Sequence, residues 1–405
     1  MIVPGFKHSP GLTPDLGAVK NVLDHNGVTN PHTGKPYTEA MLFGLGGGVG
    51  VIYFTFTFGN VSTMYIGSRD VRTAAMPSYA QVAAERAGCT VTVKESAGTK
   101  TAEANLRAAL DAGKPVVVWS DHASLPYSGL PPEKIKFFEH IFIVYGLEDG
   151  KAYIADRSPE SHVITAEQLA FSRSLISSQK NRILYMDPPT TAPDLPSGIR
   201  SGIGMTLKGM LEPHISNFGL TGLQKLADRL TDHKDKQGWP RLFFPAGEYL
   251  FDALAWAYNF IEHYGTGGQA SRGLYADFLD EAAAILDEPA LSAAAAEYRQ
   301  SGALWSDLAR GFLPDSVPAL KQTRDLLDED VRLFAEWPAG TPERRARNAR
   351  DRDAVRAAAI ADFPLTENEI LSLFEEQRER VLRLHAAEES AVRMLQAAVS
   401  DTAAV

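Results

Sequence analysis

Apolar residues in the first half of the chain recur with two different spacings. After Thr13 and Pro14, which are typical of a helix start, apolar residues follow the helical period as far as residue 23. This period predicts helices over 14–25, 37–43 and 102–112. Alternating or continuous apolar runs predict strands over 51–58, 90–94, 115–120, 140–147, 151–156 and 182–186. The first half therefore mixes helices and strands.

The second half has almost wholly helical patterns. The stretch "MDPPTTAPDLPSG" (186–198) places four prolines in a polar run, which neither a helix nor a central strand tolerates. We therefore predict a domain over 1–188, a linker over 189–200 and a helical domain over 201–405. Within the latter, the mixed charges of 343–359 predict a solvated helix face, and Thr366 and Glu369 predict the capped start of a final amphipathic helix.

One long uncharged segment could be mistaken for a membrane span. No Asp, Glu, Lys or Arg occurs between Glu39 and Arg69. Phe54 and Phe56 alternate with polar residues, however, which indicates a strand and argues against a membrane helix. The glycines of "GLGGGVG" (44–50) follow a helix and lack the spacing of phosphate-binding loops, so we interpret them as a helix-to-strand turn, with a nucleotide site as the less favoured alternative.

Composition narrows the functional classes. The chain has 405 residues and a formal net charge of -10, which argues against sequence-independent binding of nucleic acid. Its one cysteine, Cys89, excludes an internal disulfide, and the start "MIVPGFKH" has no signal peptide, so we expect a cytoplasmic protein that does not bind membranes. The ten histidines lack metal-ligand spacing, and we expect neither a metal nor another cofactor.

The predicted hairpin over 139–157 carries the strongest chemical signal. If its loop is the three residues 148–150, paired residue numbers sum to 298, and Phe142 faces Asp156 with His140 on the same face. A histidine oriented by a carboxylate is the base half of a nucleophilic or general-base site. A two-residue turn would shift the sum to 299 and separate the two side chains. The alternative is that His140 merely starts a strand and Asp156 caps a turn.

Two further places could contribute to a site. Ser9 and Thr13 lie just before the first helix, where many enzymes place a nucleophile, although Thr13 also suits a helix cap. The segment "VVVWSDHASLPYSGLPPE" (116–133) ends a strand at Asp121 and continues into a proline-shaped loop with Tyr127. Polar residues in this position commonly line pockets, and a solvent turn explains them equally well.

Taken in order, these blocks resemble a known family. The capped first helix, "TEAMLFGLGGGVGVIYF", "KPVVVWSDHASLPY", "EHIFIVYGLEDGKAYIADRS" and "EQLAFSRS" resemble the amino-terminal domain of butirosin biosynthesis protein H. The later blocks "EHYGTGGQASRGLYADFLDEAAAIL" and "EYRQSGALWSDLA" are similar to the helical domain that usually follows it. The resemblance implies an α+β fold: a papain-like domain with an antiparallel sheet, followed by a mostly α-helical domain. It also implies acyl transfer from an acyl carrier protein to an amine.

The resemblance also implies site residues. His140 and Asp156 match the last two members of the family's Cys-His-Asp triad. Glu39, Asp121 and Tyr127 match further family positions and are expected to contact substrate.

The first member of the triad does not match. Without gaps, Pro14 stands at the family's cysteine position and Thr13 at the histidine before it; with a short insertion, His8 and Ser9 take these places. Cys89 lies in a predicted strand and is a poor substitute. Ser9 is therefore the candidate nucleophile, with Thr13 as a less favoured one or as a substrate contact.

We expect a biosynthetic enzyme acting on an acyl carrier protein-derived acyl or amino intermediate to form an amide, an imine or a ring. Three mechanisms remain open: Ser9 as nucleophile with His140 as base, direct general-base catalysis by His140, or binding without catalysis. In the helical half, Arg272 beside the glycines of 265–268 could bind an anion, although an interhelical turn explains them equally. The final helix could form a homodimer or cover the core.

Overall fold

The computed structural model describes residues 1–59, 61–69, 76–130 and 139–400. Its helices are α1 (Pro14–His25), α2 (Glu39–Gly46), α3 (Tyr79–Arg86), α4 (Thr99–Asp111), α5 (Ala166–Leu175), α6 (Leu195–Leu211), α7 (Gly219–Thr231), α8 (Trp239–Leu242), α9 (Glu248–Glu262), α10 (Arg272–Leu286), α11 (Ala290–Phe312), α12 (Pro318–Glu336), α13 (Thr341–Ala361) and α14 (Glu367–Ser400). Its strands are β1 (Ile52–Phe58), β2 (Val61–Gly67), β3 (Thr90–Lys94), β4 (Val116–Asp121), β5 (Glu139–Glu148), β6 (Lys151–Ala155), β7 (His162–Thr165) and β8 (Ile183–Asp187). The predicted class, an α+β domain with an antiparallel sheet followed by a mostly helical region, is confirmed.

The chain forms two compact units. We call the first the sheet unit; it contains Met1–Gly46, Arg72–Gly198 and Glu329–Arg350. The second, the helical unit, contains Gly47–Val71, Ile199–Asp328 and Asp351–Val405. The limits predicted for the sequence domains, 1–188 and 201–405, stay a prediction. The compact units do not follow these limits, because each unit includes a segment from the other half of the chain.

The sheet unit is built on an antiparallel sheet with the strand order β3-β8-β4-β5-β6-β7. Its core joins the buried faces of β4 and β5 to α4, and every residue of β4 is buried. A continuous apolar strand of this kind suits the centre of a sheet. Helix α1 packs against β5 with Leu16 and Val19 fully buried, as the helical period of the sequence predicts.

The β5–β6 hairpin combines both registers that the sequence left open. Its turn has two residues, Asp149 and Gly150, both with positive φ (50° and 73°), so the expected three-residue loop is wrong and pairs near the turn sum to 299. A β-bulge between Val144 and Gly146 inserts one residue, and the pair Ile143↔Ala155 sums to 298. The bulge therefore restores the predicted register at the end of the hairpin that carries His140.

The helical unit is packed around a second core. The β1–β2 hairpin lies against α7 and α9, and its apolar side chains, such as Tyr53 and Met64, are buried in this core. Helix α14 starts at the predicted capping box, in which Thr366 N donates to Glu369 Oε2 at 2.7 Å, and its apolar stripe covers the core of this unit. None of the helices in the described ranges has the length and apolar character needed to cross a membrane.

The glycine-rich run between α2 and β1 is a turn that a larger residue could not occupy. Gly48 has φ +63°, and a Cβ there would lie 2.4 Å from Thr206 Oγ1 and 2.5 Å from a ring carbon of Tyr275. The structure thus gives these glycines a packing reason, in agreement with the turn interpretation.

The segment Glu329–Arg350, which we call the arm, differs from expectation. The charge pattern predicted a solvated helix face from residue 343, and most of its charged residues are exposed. Arg345, however, is 3% exposed and forms a two-bond pair with Asp330, with Nε–Oδ1 at 3.0 Å and Nη2–Oδ2 at 2.9 Å. A charge pattern cannot reveal a buried arginine whose partner lies on the preceding helix.

Candidate functional site

The structure brings His140 and Asp156 into a buried pair. His140 starts β5 and Asp156 follows the last residue of β6, and the register of the hairpin places both side chains on one face. His140 Nε2 lies 2.7 Å from Asp156 Oδ2, and the two side chains are 3% and 0% exposed. This geometry matches a histidine held by a carboxylate.

Asp156 is an ionised acceptor with further donors around it. Tyr127 Oη donates to Oδ2 at 3.0 Å, and the Arg157 backbone N–H donates to Oδ1 at 2.7 Å. Burial opposes ionisation, but the charge and hydrogen bond of His140 outweigh it and hold the pKa of Asp156 well below its usual range. Because the ionised Asp156 can only accept, His140 Nε2 donates the proton and Nδ1 is left to act as the basic nitrogen.

Two more histidines surround this pair. The His122 ring stacks on the His140 ring, with 4.2 Å between the centroids and 18° between the planes. The His162 ring stacks on the Tyr127 ring, with 3.9 Å between the centroids and 9° between the planes. Burial lowers the pKa of His162 to about 4, and burial followed by the charge of His140 lowers that of His122 well below its usual value. Both rings are therefore neutral at pH 7 and act as walls that fix the rings beside them.

The arm supplies another wall of this cluster. The Phe334 ring lies edge-on to the His122 ring, with 6.2 Å between the centroids, and the centroid of the Trp337 ring lies 4.6 Å from that of His162. The guanidinium groups of Arg157 and Arg345 lie over the Phe334 ring at 5.2 and 4.9 Å from its centroid. Residues about 200 positions apart in sequence thus form one cluster within the sheet unit.

The start of α1 faces the same region. A small cavity is lined by residues of the loop before α1, of α1, and of β5 and β6 and the turn after it: Gly11, Pro14, Gly17, Ala18, Asn21, Ile141, Phe142, Ala155, Asp156 and Arg157. Pro14 is the first residue of the helix, where the resemblance places a cysteine. A proline side chain has no nucleophilic atom, so this position offers none.

Ser9 is held by α1. Its backbone N and its Oγ both donate to Asn21 Oδ1, at 2.8 and 3.2 Å, and Asn21 Nδ2 donates to the Ser9 carbonyl at 2.8 Å. The hydroxyl proton of Ser9 is therefore directed at an amide oxygen of α1. Its neighbour His8 donates from Nε2 to the Asp156 carbonyl at 2.5 Å.

Thr13 and Glu39 form a buried pair of their own. Glu39 Oε1 accepts from the Thr13 N–H at 2.5 Å and from Thr13 Oγ1 at 2.6 Å, and Oε2 accepts from the Leu12 N–H at 2.9 Å. Thr13 is 0% and Glu39 9% exposed. A carboxylate in this position neutralises N–H groups at the start of α1 and fixes the loop before it. The acceptors of Glu39 are thereby used within the protein.

Asp121 lies at the end of β4, where its Oδ1 accepts from the Ser124 N–H at 2.9 Å and its carbonyl accepts from Ser172 Oγ at 2.9 Å. It is fully buried and stabilises the turn that leads to Tyr127. Cys89 is buried just before β3, and burial raises the pKa of its thiol to about 11, which disfavours the reactive thiolate.

Arg272 lies in the core of the helical unit with 0% exposure. Its guanidinium donates to both oxygens of Glu388, from Nε at 2.8 Å and Nη2 at 3.2 Å, and to the carbonyls of Gly50, Ser68 and Ala270. All five of its N–H donors are therefore used by protein acceptors. An anion would have to displace one of these acceptors to bind Arg272.

No group of three or more His, Cys, Asp or Glu residues able to hold a metal ion occurs in the part of the chain that the structure describes. Sequence reasoning did not select His162, Arg157 or the arm residues Phe334 and Arg345. A polar residue directly after Asp156 could have pointed to Arg157. No local pattern could have connected the arm to this site.

Comparisons with known proteins give the following matches. Residues 14–157 match the family described as "Butirosin biosynthesis protein H, N-terminal", and residues 167–329 match a domain of unknown function, DUF4872. A solved structure described as a C39-like peptidase from Bacillus anthracis is 12% identical with a TM-score of 0.30, and the match covers 47% of this chain and 98% of that chain. A TM-score of this size does not show a common fold. No curated protein matches the chain.

Proposed function

We propose that this chain, whose residues 14–157 match the family described as "Butirosin biosynthesis protein H, N-terminal", is a papain-like enzyme of natural-product biosynthesis with His140 as its general base. The observation that carries the proposal is the buried His140–Asp156 pair, with 2.7 Å between Nε2 and Oδ2. A general base needs a fixed ring with one free nitrogen, and Asp156 fixes the proton on the other.

The chemistry that fits this pair is proton removal without a covalent acyl-enzyme. His140 Nδ1 takes a proton from an amine or from a carbon beside a carbonyl, and the same nitrogen returns it to the leaving group or product. The substrate is an acyl or amino intermediate, supplied by an acyl carrier protein or as a free small molecule, and the product is an amide, an imine or a ring.

Three features argue against a covalent step. Pro14 stands where the family has its nucleophile, the Ser9 hydroxyl donates to Asn21 Oδ1, and the Thr13 hydroxyl donates to Glu39. A serine nucleophile would have to donate its proton to His140 instead. We therefore assign Ser9 and Thr13 to the support of α1.

The test uses full-length protein with a panel of acyl carrier protein thioesters and amine acceptors under single-turnover conditions, with products identified by mass spectrometry. We expect His140→Ala to lower the rate by at least about 100-fold, a typical contribution of a general base. Ser9→Ala should change the rate by less than about threefold. The matched control Ser161→Ala, which removes an exposed hydroxyl just before β7, should have an equally small effect.

Intact-protein mass spectrometry separates the remaining mechanisms. Direct catalysis predicts no acyl adduct on the wild-type chain at any time during the turnover. An adduct that disappears in Ser9→Ala would replace our proposal by covalent catalysis. Equal rates for wild type and His140→Ala would exclude both and favour a protein that binds an intermediate without converting it.

A further inference from the structure

The backbone of Arg157 is held by two hydrogen bonds, while its guanidinium has no hydrogen-bond partner within the described residues. Its N–H donates to Asp156 Oδ1 at 2.7 Å, and its carbonyl accepts from the Gly11 N–H at 3.2 Å. Within the described residues, its guanidinium lies over Phe334 but makes no hydrogen bond, and Nε is buried without a partner. Buried polar groups are normally hydrogen-bonded, so this exception points to an absent acceptor.

The neighbouring charges cannot supply that acceptor. Asp156 accepts from His140, Tyr127 and the Arg157 backbone, and Glu39 accepts from the loop before α1. Arg345, the second guanidinium on Phe334, is paired in two bonds with Asp330. The charge of Arg345 is therefore balanced by Asp330. Arg157, in contrast, forms no ion pair within the described residues and stays a cation beside the neutral His122 ring.

We propose that the Arg157 guanidinium binds the carboxylate of the substrate, so that the site takes small intermediates that carry a free carboxylate. The inference rests on the proposed function in that it places this substrate next to His140. Arg157 and Asp156 line the same small cavity as the start of α1.

A carboxylate fits this place better than a phosphate. A guanidinium offers two parallel N–H groups that match the two oxygens of a planar carboxylate. The described residues that line the cavity contain no lysine and no second arginine. One cation balances a single negative charge, whereas a phosphate carries more charge and more acceptor oxygens than one guanidinium satisfies.

The test measures binding rather than turnover. Full-length protein labelled with ¹⁵N-arginine is titrated with N-acetylalanine, with the uncharged N-acetylalaninamide and with inorganic phosphate, and the Arg157 Nε–H signal is followed by NMR. We expect the carboxylate to shift this signal and to bind at least about tenfold more tightly than the amide. Arg157→Gln should abolish the preference, and Arg157→Lys should retain part of it.

The matched control is Arg107→Gln, which removes an exposed guanidinium of the same unit and should leave the preference unchanged. Equal binding of the acid and the amide, tighter binding of phosphate, or an unchanged preference in Arg157→Gln overturns the inference. If Arg157→Gln does not fold, the comparison of acid and amide on wild-type protein decides. His140→Gln separates the two proposals, since it should keep carboxylate binding even if His140 proves to have no role in turnover.

Discussion

The ring of His122 lies flat against the ring of His140, with 4.2 Å between centroids and 18° between planes. Burial and the adjacent charge of His140 lower the pKa of His122 well below its usual value. A neutral ring in this place restricts the rotation of His140 without competing for its proton. Of the two stacked imidazoles, His140 is the one that is hydrogen-bonded to a carboxylate, Asp156.

This relationship predicts distinct titration behaviour for the two rings. Imidazole carbon and nitrogen shifts measured by NMR should show His122 in its neutral form from about pH 8 to pH 6, where an unperturbed histidine becomes protonated. His122→Gln, compared with wild type, assigns the signal. Protonation of His122 within this range would contradict the neutral role.

The stability of the protein should fall on mild acidification because of His162. Its pKa is about 4 in the folded chain against an ordinary value of 6.5, so between these two pH values the unfolded chain binds a proton that the folded chain does not. Stability from this group is therefore present above pH 6.5 and lost as the pH falls. We expect a loss of about 2 kcal/mol between pH 7 and pH 5.

Urea unfolding of wild type and His162→Gln at both pH values measures this loss. The variant should show a smaller difference between pH 7 and pH 5, by about the same 2 kcal/mol. The exposed His233 provides the matched control, since His233→Gln should keep the wild-type difference. If His162→Gln also keeps it, the acid sensitivity comes from another group.

Removing the charge of Asp156 should affect catalysis more than removing the hydroxyl of Tyr127. Asp156→Asn no longer fixes the proton on His140 Nε2, and we expect kcat/KM to fall by at least about 100-fold. Tyr127→Phe deletes a single hydrogen bond to the same carboxylate, for which we expect a loss of about fivefold. The single-turnover carrier protein assay measures both, with circular dichroism to verify folding.

The opposite order would contradict the assigned roles. If Tyr127→Phe were the more damaging change, the phenol would be a reacting group. Burial, followed by the nearby Asp156 charge, raises the pKa of Tyr127 well above its usual value, so that it remains a donor.

Asn21 should matter more for stability than for chemistry. Its side-chain nitrogen donates to the carbonyls of Ser9 and Gly17 at 2.8 and 2.9 Å, and its oxygen accepts from the Ser9 N–H at 2.8 Å. Asn21→Ala removes the side-chain partners of the Ser9 N–H and of the Ser9 carbonyl and should lower the free energy of unfolding by about 2–3 kcal/mol. Ser9→Ala removes one weak donor and should lower it by less than about 1 kcal/mol in the same urea experiment. Similar losses in both variants would show that Asn21 is not the main support of this loop.

The Arg272–Glu388 pair should stabilise the helical unit only as long as both partners are present. Arg272→Met leaves the buried Glu388 carboxylate without its cation, with only Ser301 and Trp305 still donating to it, and we expect a loss of about 3–5 kcal/mol. Arg272→Met combined with Glu388→Leu should lose less than the single change, because no charge remains buried. Urea unfolding of wild type, both single variants and the double variant measures the coupling. Additive losses would contradict it.

The elements of the sheet unit were largely predictable because local periodicity determines them. Helix α1 begins at Pro14 and strand β3 covers 90–94, as the pattern predicts. The His140–Asp156 register required more than the pattern, since Asp149 and Gly150 form a two-residue turn that alone would separate the two side chains. The bulge near Tyr145 corrects the register. A bulge depends on packing at one residue and leaves no periodic signal.

The surroundings of the site were not predictable for a different reason. Arg345 lies in a charged run that looks solvated, yet it is 3% exposed because Asp330 and the carbonyl of Tyr127 receive its donors. Phe334 and Trp337 occupy ordinary apolar positions at the end of α12. Long-range contacts of this kind depend on the tertiary fold and not on the spacing of neighbouring residues.

The arm has a consequence for how this protein can be divided or recombined. Gly129, with φ +67°, leaves room that the Arg345 side chain fills, since a Cβ there would lie 2.6 Å from Arg345 Cβ. A gene fragment that ends at residue 198 would encode the whole antiparallel sheet but leave His122, His162 and the guanidinium of Arg157 without Phe334 over them. Fusions that exchange the second half with that of a relative would therefore also exchange the arm, and with it the Phe334 ring that packs against His122 and the Arg157 guanidinium.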